Sequence, residues 1–405
     1  MWGTMASTRA WLWQATVATP VARPAALHGL DGLGYAAFHV ACLGILLVPP
    51  TAGDLLAGAL LFCIASFGVS VGWHRYLSHR AFETSRWFQL LLVMCGTLGG
   101  MKGALWFAQH HLEHHRRSDQ PEDIHSPVAR GFAYSHSLWF LTRRHRDTDL
   151  ARVARWARFP ELVWINAHTW LLSALAGLAI FATLGWSGLF WSYFLPTVLV
   201  WHTFHAVGSV CHSRLLGYRR FATPDNSFNN PVIGLLGFGD GWHNNHHHVP
   251  YSAKVGLAWW EPDPGWWLIW CFERLGLVWR VRRPRPGEAD PRSELAGRRV
   301  ARFRHWLAGL RASIRDNLAG GGLDAGTVAR IDARLRAFEA SALAAFRRHP
   351  LRLRALLAEL RGDLNAMLAD APELAAATDR LLRARAAASR LRHLHLAASE
   401  GEGLS

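Results

Sequence analysis

Four apolar runs, at 33–50, 54–72, 162–184 and 186–207, constrain this chain more than any other feature. About 20 apolar residues at a rise of ~1.5 Å each cross the ~30 Å hydrocarbon core of a bilayer, where every backbone N–H and C=O must be paired within the chain. The runs therefore predict membrane-spanning helices, and they pair into two hairpins. The first turns at Pro49-Pro50 through Asp54, the second at Leu184-Gly185-Trp186, and neither turn holds Lys or Arg. The segment between the hairpins carries Arg116, Arg117, Arg130, Arg143, Arg144, Arg146, Arg152, Arg155 and Arg158. The bias of basic loops toward the cytosol places that segment, and with it both termini, on the cytosolic side.

Composition supports a membrane body. Hydrophobic residues make up 51% and charged residues 18%, against about 25% charged in a soluble domain. The net charge of +15 does not indicate nucleic acid: only Lys102 and Lys254 are lysines, and the 23 arginines of 281–405 are interspersed with 14 acidic residues. That mixture reads as solvated helix faces near an anionic membrane. Five scattered cysteines without CxxC spacing imply no disulfide framework. Residues 1–30 show no cleavable signal peptide.

A fifth apolar run, Trp87 to Phe107, is long enough to span. A crossing there would put the histidines at 74–79 and those at 111–115 on opposite faces of the membrane. Their shared chemistry predicts instead that the run lies in the interface or dips in and returns, helped by Gly96, Gly99, Gly100 and Gly103.

The chain has 23 histidines, many of them clustered: His74 and His79, then His111, His114 and His115, the lone His212, and finally His243, His246 and His247. Residues three and four apart share a helix face, so an HxxHH segment can aim several imidazoles at one region. Neutral imidazole suits iron, copper, zinc and nickel. Nine such ligands exceed what one metal with an open position takes and fit two. Solitary His39, His168, His202 and His205 read as packing residues, and His125 and His136 as supporting or structural. A saturated alkyl chain has no acidic proton and no electrophile, so acid–base and nucleophilic side chains cannot attack it. Activated oxygen on a metal pair can, the protein supplying ligands, orientation and a dry channel.

HRYLSH (74–79), HLEHH (111–115) and GWHNNHH (241–247) resemble the three histidine boxes of the membrane fatty acid desaturases, in the acyl-CoA Δ9, stearoyl-CoA desaturase-like branch. DQPEDIHSP (119–127), GFAYSHSLW (131–139), PYSAKVGLAWWEPDP (250–264) and LGLVW (275–279) are similar to the family's flanking stretches, so the resemblance covers about residues 30–280. It implies a non-haem centre of two iron ions held by His74, His79, His111, His114, His115, His212, His243, His246 and His247, with O2 as co-substrate. The implied reaction removes two vicinal hydrogens from a fatty acyl chain to give a cis double bond, taken as Δ9, and two waters. Two electrons must come from outside. With no HPGG, CxxC or GxGxxG motif in the sequence, the donor is expected to be another protein of ferredoxin, rubredoxin or cytochrome b5 type.

Around the ligands or against the substrate the resemblance points to Gly208, Asp119, Asp123, His125, Asp240, Trp242 and Asn244. Several positions depart from the family pattern. Gly208 stands where Asn is usual, Asp240 where Glu is, Leu112 where the animal enzymes have Arg, and Phe228 where Arg is common. Gln109-His110 replace the Arg-Asp pair that touches the CoA head group in animal enzymes, so the acyl carrier is open between CoA and another carrier or lipid. A hydroxylase of the same histidine-box group is the alternative enzyme, and a membrane metal transporter or sensor the alternative outside enzymes. Transporters place ionisable ligands near the midplane, whereas these lie at span ends.

The expected fold is an all-α integral membrane protein with four transmembrane helices, a cytosolic histidine-rich cap and a C-terminal amphipathic helical extension. Boundaries are expected at 1–30 for an N-terminal segment, 31–280 for the membrane domain, 281–292 for a Pro/Arg-rich linker and 293–405 for the extension. In the extension Ile331, Leu335, Phe338, Ala342 and Phe346 form one helical stripe and Leu353, Leu357, Leu360, Leu364 and Met367 another. The glycines at 320–322 mark a break, and three or four helices packed as a small bundle are expected. The Arg/Ala-rich, Lys-poor composition suggests a bacterial cytoplasmic membrane.

Overall fold

The computed structural model describes residues 27–215, 217–319, 323–348 and 352–382. Most of the predicted N-terminal segment, the glycines at 320–322 and Pro350 fall outside them. The described chain is mostly helical and divides into two compact units, Met1–Ala289 and Asp290–Ser405.

Among the described residues of the first unit, three helices are long and apolar enough to cross a membrane: Gly29–Leu46, Ala52–Ser78 and Thr169–His212. The second begins at a capping box in which Thr51 Oγ1 accepts from the Asp54 N–H and Asp54 accepts from the Thr51 N–H, which satisfies donors that a helix start leaves open. Its last eleven residues, Gly68–Ser78, wind as a π-helix, a wider coil that recurs at functional sites. This stretch is buried throughout and carries His74 and Arg75 inward.

Thr169–His212 is not one straight rod. Gly185 has φ 66° and ψ −153°, a conformation open to glycine and costly for other residues, and the chain folds back there. Ser173 Oγ and Tyr193 Oη lie 3.1 Å apart although 20 residues separate them, where a straight helix would hold them ~30 Å apart. The sequence-predicted turn and the two apolar runs on either side of it thus form a helical hairpin.

The ambiguous run at 87–107 is broken in two. Helix Arg86–Thr97, started by a Ser85 cap, ends in a turn where Gly100 takes φ +63°, and helix Ala104–Arg117 follows. Asn166 Oδ1 caps the second helix by accepting from the N–H groups of Leu105 and Trp106 at 3.0 Å each. The chain thereby returns, and the rings of His74 and His111 meet with centroids 4.5 Å apart. A two-residue antiparallel ribbon pairs Glu83 with Trp279 and Thr84 with Val278, tying the segment after the π-helix to the end of the unit. The core of the unit is built on Val69, Trp73, Tyr76, Phe82, Leu92 and Leu105, where the helices at 52–78, 86–97 and 104–117 pack together.

The second unit contains helices Pro291–Ala319, Ala325–Arg348 and Arg352–Met367. Ile331, Leu335, Phe338 and Ala342 are buried against Leu310, Ile314, Leu360, Leu364 and Leu368, which is the packing that their helical periodicity predicts. The side chains of Phe346, Leu353 and Leu357 lie outside the described residues.

Candidate metal centre

The nine histidines come together from four segments. His74 lies on the π-helix and His79 just after it, His111, His114 and His115 on helix Ala104–Arg117, His212 at the end of the folded-back hairpin, and the last three on helix His243–His248. They form two groups whose ligand atoms lie within 4.8 Å of one another: His74, His79, His111, His115 and His246 in one, His114, His212, His243 and His247 in the other.

The division follows from helix geometry. In each HxxHH segment the first and last histidines are four residues apart and share a face, whereas the middle one is turned by ~100° from its neighbour. His111 and His115 join the first group and His114 the second, while His243 and His247 join the second and His246 the first. The two segments thus exchange one ligand each, which ties both groups into one unit.

Within the first group Nε2 atoms succeed one another at 2.7 Å (His79 to His111), 3.0 Å (His111 to His115), 2.9 Å (His115 to His246) and 3.0 Å (His246 to His74). In the second, His243 Nε2 lies 2.9 Å from His212 Nε2 and 3.0 Å from His247 Nε2. Carboxylates stand behind four of the rings. His114 Nδ1 donates to Asp123 (3.0 Å), His212 Nδ1 to Asp119 (2.8 Å) and His247 Nδ1 to Asp225 (2.5 Å). His74 Nδ1 lies 2.9 Å from Asp240 Oδ2, in an ion-pair contact whose angle is poor for a hydrogen bond. Such partners fix the tautomer, leaving Nε2 with a lone pair that faces the group.

These residues fit metal. The Nε2 atoms of His212 and His247 are both lone pairs, both abut His243 Nε2, and a neutral His243 has at most one proton there to share between them. At least one contact is therefore lone pair against lone pair until a cation lies between. His114 Nε2 is buried with no hydrogen-bond partner, an orphan that costs free energy unless ligated. Protonation is opposed as well. Burial first, then the neighbouring imidazoles, holds His79, His111, His115, His243 and His246 well below the ordinary histidine value. Burial lowers His247 to about 4 against the opposing pull of Asp225. Burial alone would raise the Asp123 and Asp225 carboxyls, but their histidine partners outweigh it and hold both well below the usual carboxylate range. Those six rings are therefore neutral imidazoles.

The remaining predicted positions take distinct places. His125 is buried, its ring stacked on His114 at 4.3 Å, with burial lowering it to about 3. It occupies the space beside Gly208, where an added Cβ would stand 3.3 Å from its ring. Asp240 is held by Ser70 Oγ at 2.7 Å. Trp242 and Asn244 support the loop rather than face the centre: Trp242 Nε1 donates to the Pro262 carbonyl, and Asn244 accepts from the N–H groups of Arg220 and Phe221. Sequence reasoning did not assign Asp225 to His247, nor Arg75, whose buried guanidinium donates to Asp263 and to the Ala253 and Phe238 carbonyls. It also read His202 and His205 as packing residues and His136 as supporting or structural, yet their ligand atoms too lie within 4.8 Å of one another.

An apolar cavity of about 350 Å³ reaches this centre. Tyr35, Phe38, Trp139, Phe140, Trp201 and Phe204 line it, His74, His111, His114 and His243 are part of its wall, and the Lys102–Asp31 ion pair lies along it. A second, polar cavity of about 460 Å³ touches His79, His115 and His247 together with Arg116, Asp119 and Asp225.

The fatty acid desaturase family model matches residues 52–282. The chain belongs to the fatty acid desaturase family. It is 33% identical over 231 residues to the sn-2 palmitoyl-lipid 9-desaturase of Nostoc sp. (strain 36), covering 55% of this chain and 80% of that protein. It is 34% identical over 224 residues to the sn-1 stearoyl-lipid 9-desaturase of Anabaena variabilis, covering 55% and 81%. Another relative is the hex-5-enoyl-[acyl-carrier protein] acetylenase of Moorena producens, 31% identical over 276 residues and covering 58% and 84%. As a fatty acid desaturase the chain is an oxidoreductase acting on fatty acyl chains, and its apolar helices and histidine groups accord with a membrane enzyme of lipid metabolism.

Proposed function

We propose that this desaturase introduces a cis double bond at position 9 of a saturated, lipid-linked acyl chain, at a centre of two iron ions held by the five-histidine and four-histidine groups. One observation carries the reading: the apolar cavity has four of the nine histidines in its wall, so an acyl chain lying in it passes the place where the imidazole lone pairs converge. Held by the five-histidine and four-histidine groups, iron would supply the oxygen activation that an unactivated C–H bond requires. The aromatic wall excludes water and holds the chain extended against the histidines. Asp119, Asp123 and Asp225 keep the rings of His212, His114 and His247 in the ligating tautomer. The polar cavity beside His79, His115 and His247 gives water a path that does not cross the acyl chain.

The balance is R–CH2–CH2–R′ + O2 + 2 e⁻ + 2 H⁺ giving R–CH=CH–R′ + 2 H2O, with the external electrons drawn from a ferredoxin, rubredoxin or cytochrome b5 type partner. Position 9 and the lipid carrier rest on the names of the two cyanobacterial relatives. In the membrane, Gly29–Leu46 and Ala52–Ser78 each cross once and Thr169–His212, folded at Gly185, crosses twice. The histidine groups form a cap on the cytosolic side, with both termini there, in a bacterial cytoplasmic membrane. Residues 31–280 form the catalytic domain, 281–292 a linker and 293–405 an extension, of which 383–405 lie outside the described residues.

The purified full chain, loaded with iron and given O2, a reduced ferredoxin system and a stearoyl glycerolipid, is expected to yield a lipid lighter by two hydrogens. A product heavier by one oxygen and without an alkene overturns the assignment in favour of hydroxylation.

A further inference from the structure

Apart from the nine-histidine centre, four imidazoles that the sequence scatters are brought together: His39 on the first apolar helix, His136 in the turn Tyr134–Leu138, and His202 and His205 on helix Leu195–Ser209. Ligand atoms of His136, His202 and His205 lie within 4.8 Å of one another. His136 Nε2 is 2.9 Å from His202 Nδ1, and His39 Nε2 is 2.9 Å from His202 Nε2. His205 is 7% exposed and its Nδ1 has no hydrogen-bond partner.

The outer contacts orient these rings. His39 Nδ1 donates to the Tyr35 carbonyl at 2.7 Å. His136 Nδ1 lies 2.8 Å from Ser209 Oγ, whose own proton goes to the His205 carbonyl at 2.8 Å. With both outer nitrogens donating, His136 and His39 turn lone pairs toward opposite nitrogens of His202. A neutral His202 has one proton for those two acceptors. If Ser209 instead donates to His136, a single chain of protons satisfies the ring contacts, but His205 Nδ1 remains buried and unpaired. Burial of such a group without a partner opposes folding unless a ligand supplies one.

We propose that His136, His202 and His205 form a third metal site, with His39 beside it, for a divalent transition metal of the zinc class. Three neutral imidazoles with an open fourth position suit zinc and its neighbours, whereas calcium and magnesium require oxygen ligands. The site has a structural consequence. Helix Gly29–Cys42 contains no buried residue, and a metal on His202 Nδ1 would keep the His202 proton on Nε2, where it donates to His39 and holds this weakly embedded helix to Leu195–Ser209.

The test is zinc uptake by the full chain in lipid nanodiscs, counted by elemental analysis for wild type and for His136→Gln and His202→Gln. Each variant is expected to hold one zinc equivalent fewer than wild type, or to bind that equivalent at least tenfold more weakly, whatever the nine-histidine centre holds. Variants that match wild type in both zinc count and affinity overturn the site and leave the cluster as a hydrogen-bonded chain. Where a variant fails to fold, zinc-edge absorption on wild type decides. A zinc shell with three or more imidazole nitrogens, retained after the nine-histidine centre is filled with iron, supports the site, and no zinc uptake by the iron-filled protein overturns it.

Discussion

Replacing Asp225 by Asn changes one atom and tests how the carboxylates prepare the metal centre. Oδ1 of Asp225 accepts from Thr223 Oγ1 at 2.7 Å, Ser227 Oγ at 2.6 Å and the Ser227 N–H at 3.1 Å, while Oδ2 accepts from His247 Nδ1 at 2.5 Å. An asparagine keeps the three donors satisfied only by leaving its oxygen at Oδ1 and placing its NH2 against His247. Two donors then face each other unless His247 moves its proton to Nε2, the atom that faces His243 and the rest of the four-histidine group. The opposite amide rotamer restores the His247 contact but turns its NH2 toward the Ser227 N–H, which loses its acceptor, and forces the Thr223 and Ser227 hydroxyls to reorient. Loss of such a ligand-orienting partner typically costs 10–100-fold in metal affinity. At about 1.4 kcal/mol per decade that is about 1.4–2.7 kcal/mol, and the forced tautomer places this variant near the upper end. Chelator competition with the purified protein is the assay: iron is expected to leave the four-histidine group 10–100-fold more readily, with the five-histidine group retained. An Asp225→Asn protein that holds both metals as tightly as wild type refutes the tautomer argument.

Three further outcomes follow from packing and charge. Arg75→Met leaves Asp240 and Asp263 buried without their guanidinium partner, 3.6 and 2.9 Å away in the wild type. A loss of about 3–5 kcal/mol is expected in detergent unfolding, and an unchanged midpoint contradicts it. Gly72→Ala puts a methyl group 2.7 Å from the Leu92 carbonyl oxygen. Overpacking there is expected to destabilise by about 1–3 kcal/mol, read by the same assay, and a neutral result would show that helix Arg86–Thr97 yields. Burial, then the charges of His110 and Arg144, lowers His145 from 6.5 to about 3, so the folded state binds fewer protons there than the unfolded chain. Its contribution is complete above 6.5 and is lost as pH falls from 6.5 toward 3. The metal-free protein is expected to lose stability between pH 6.5 and 5 more steeply than its His145→Gln variant, and parallel slopes would exclude the effect.

Much of the histidine cluster was legible because its spacing is local. HRYLSH and the two HxxHH segments each deliver their histidines within a turn or two of helix, so sequence alone brings out the repeated pattern. The partners behind them are not local. Asp119 supports His212 across 93 residues and Asp225 supports His247 across 22, and an aspartate in a loop carries no mark of which imidazole it will meet. The exchange of His114 and His246 between the groups was implicit in helix geometry but required knowing that the two helices face each other. His39, His202 and His205 looked like packing residues, and His136 like a supporting or structural one, for the same reason: their contacts span up to 163 residues. In the fold, Gly185 was readable as a turn, and the glycines at 96–103 correctly suggested that the run at 87–107 does not continue straight. The second unit followed from periodicity, since Ile331, Leu335, Phe338 and Ala342 can be buried together only as one helix face.

The central claim, that an acyl chain is desaturated beside the nine histidines, is tested most directly by the membrane lipids of a bacterial host expressing this chain. The comparison is with the same host expressing His243→Ala, and the double bond is located by mass spectrometry. The account predicts a new cis monoene at position 9 with the wild-type chain, and none with the variant. A new alkene made equally well by His243→Ala, or a hydroxylated lipid in place of an alkene, would contradict it.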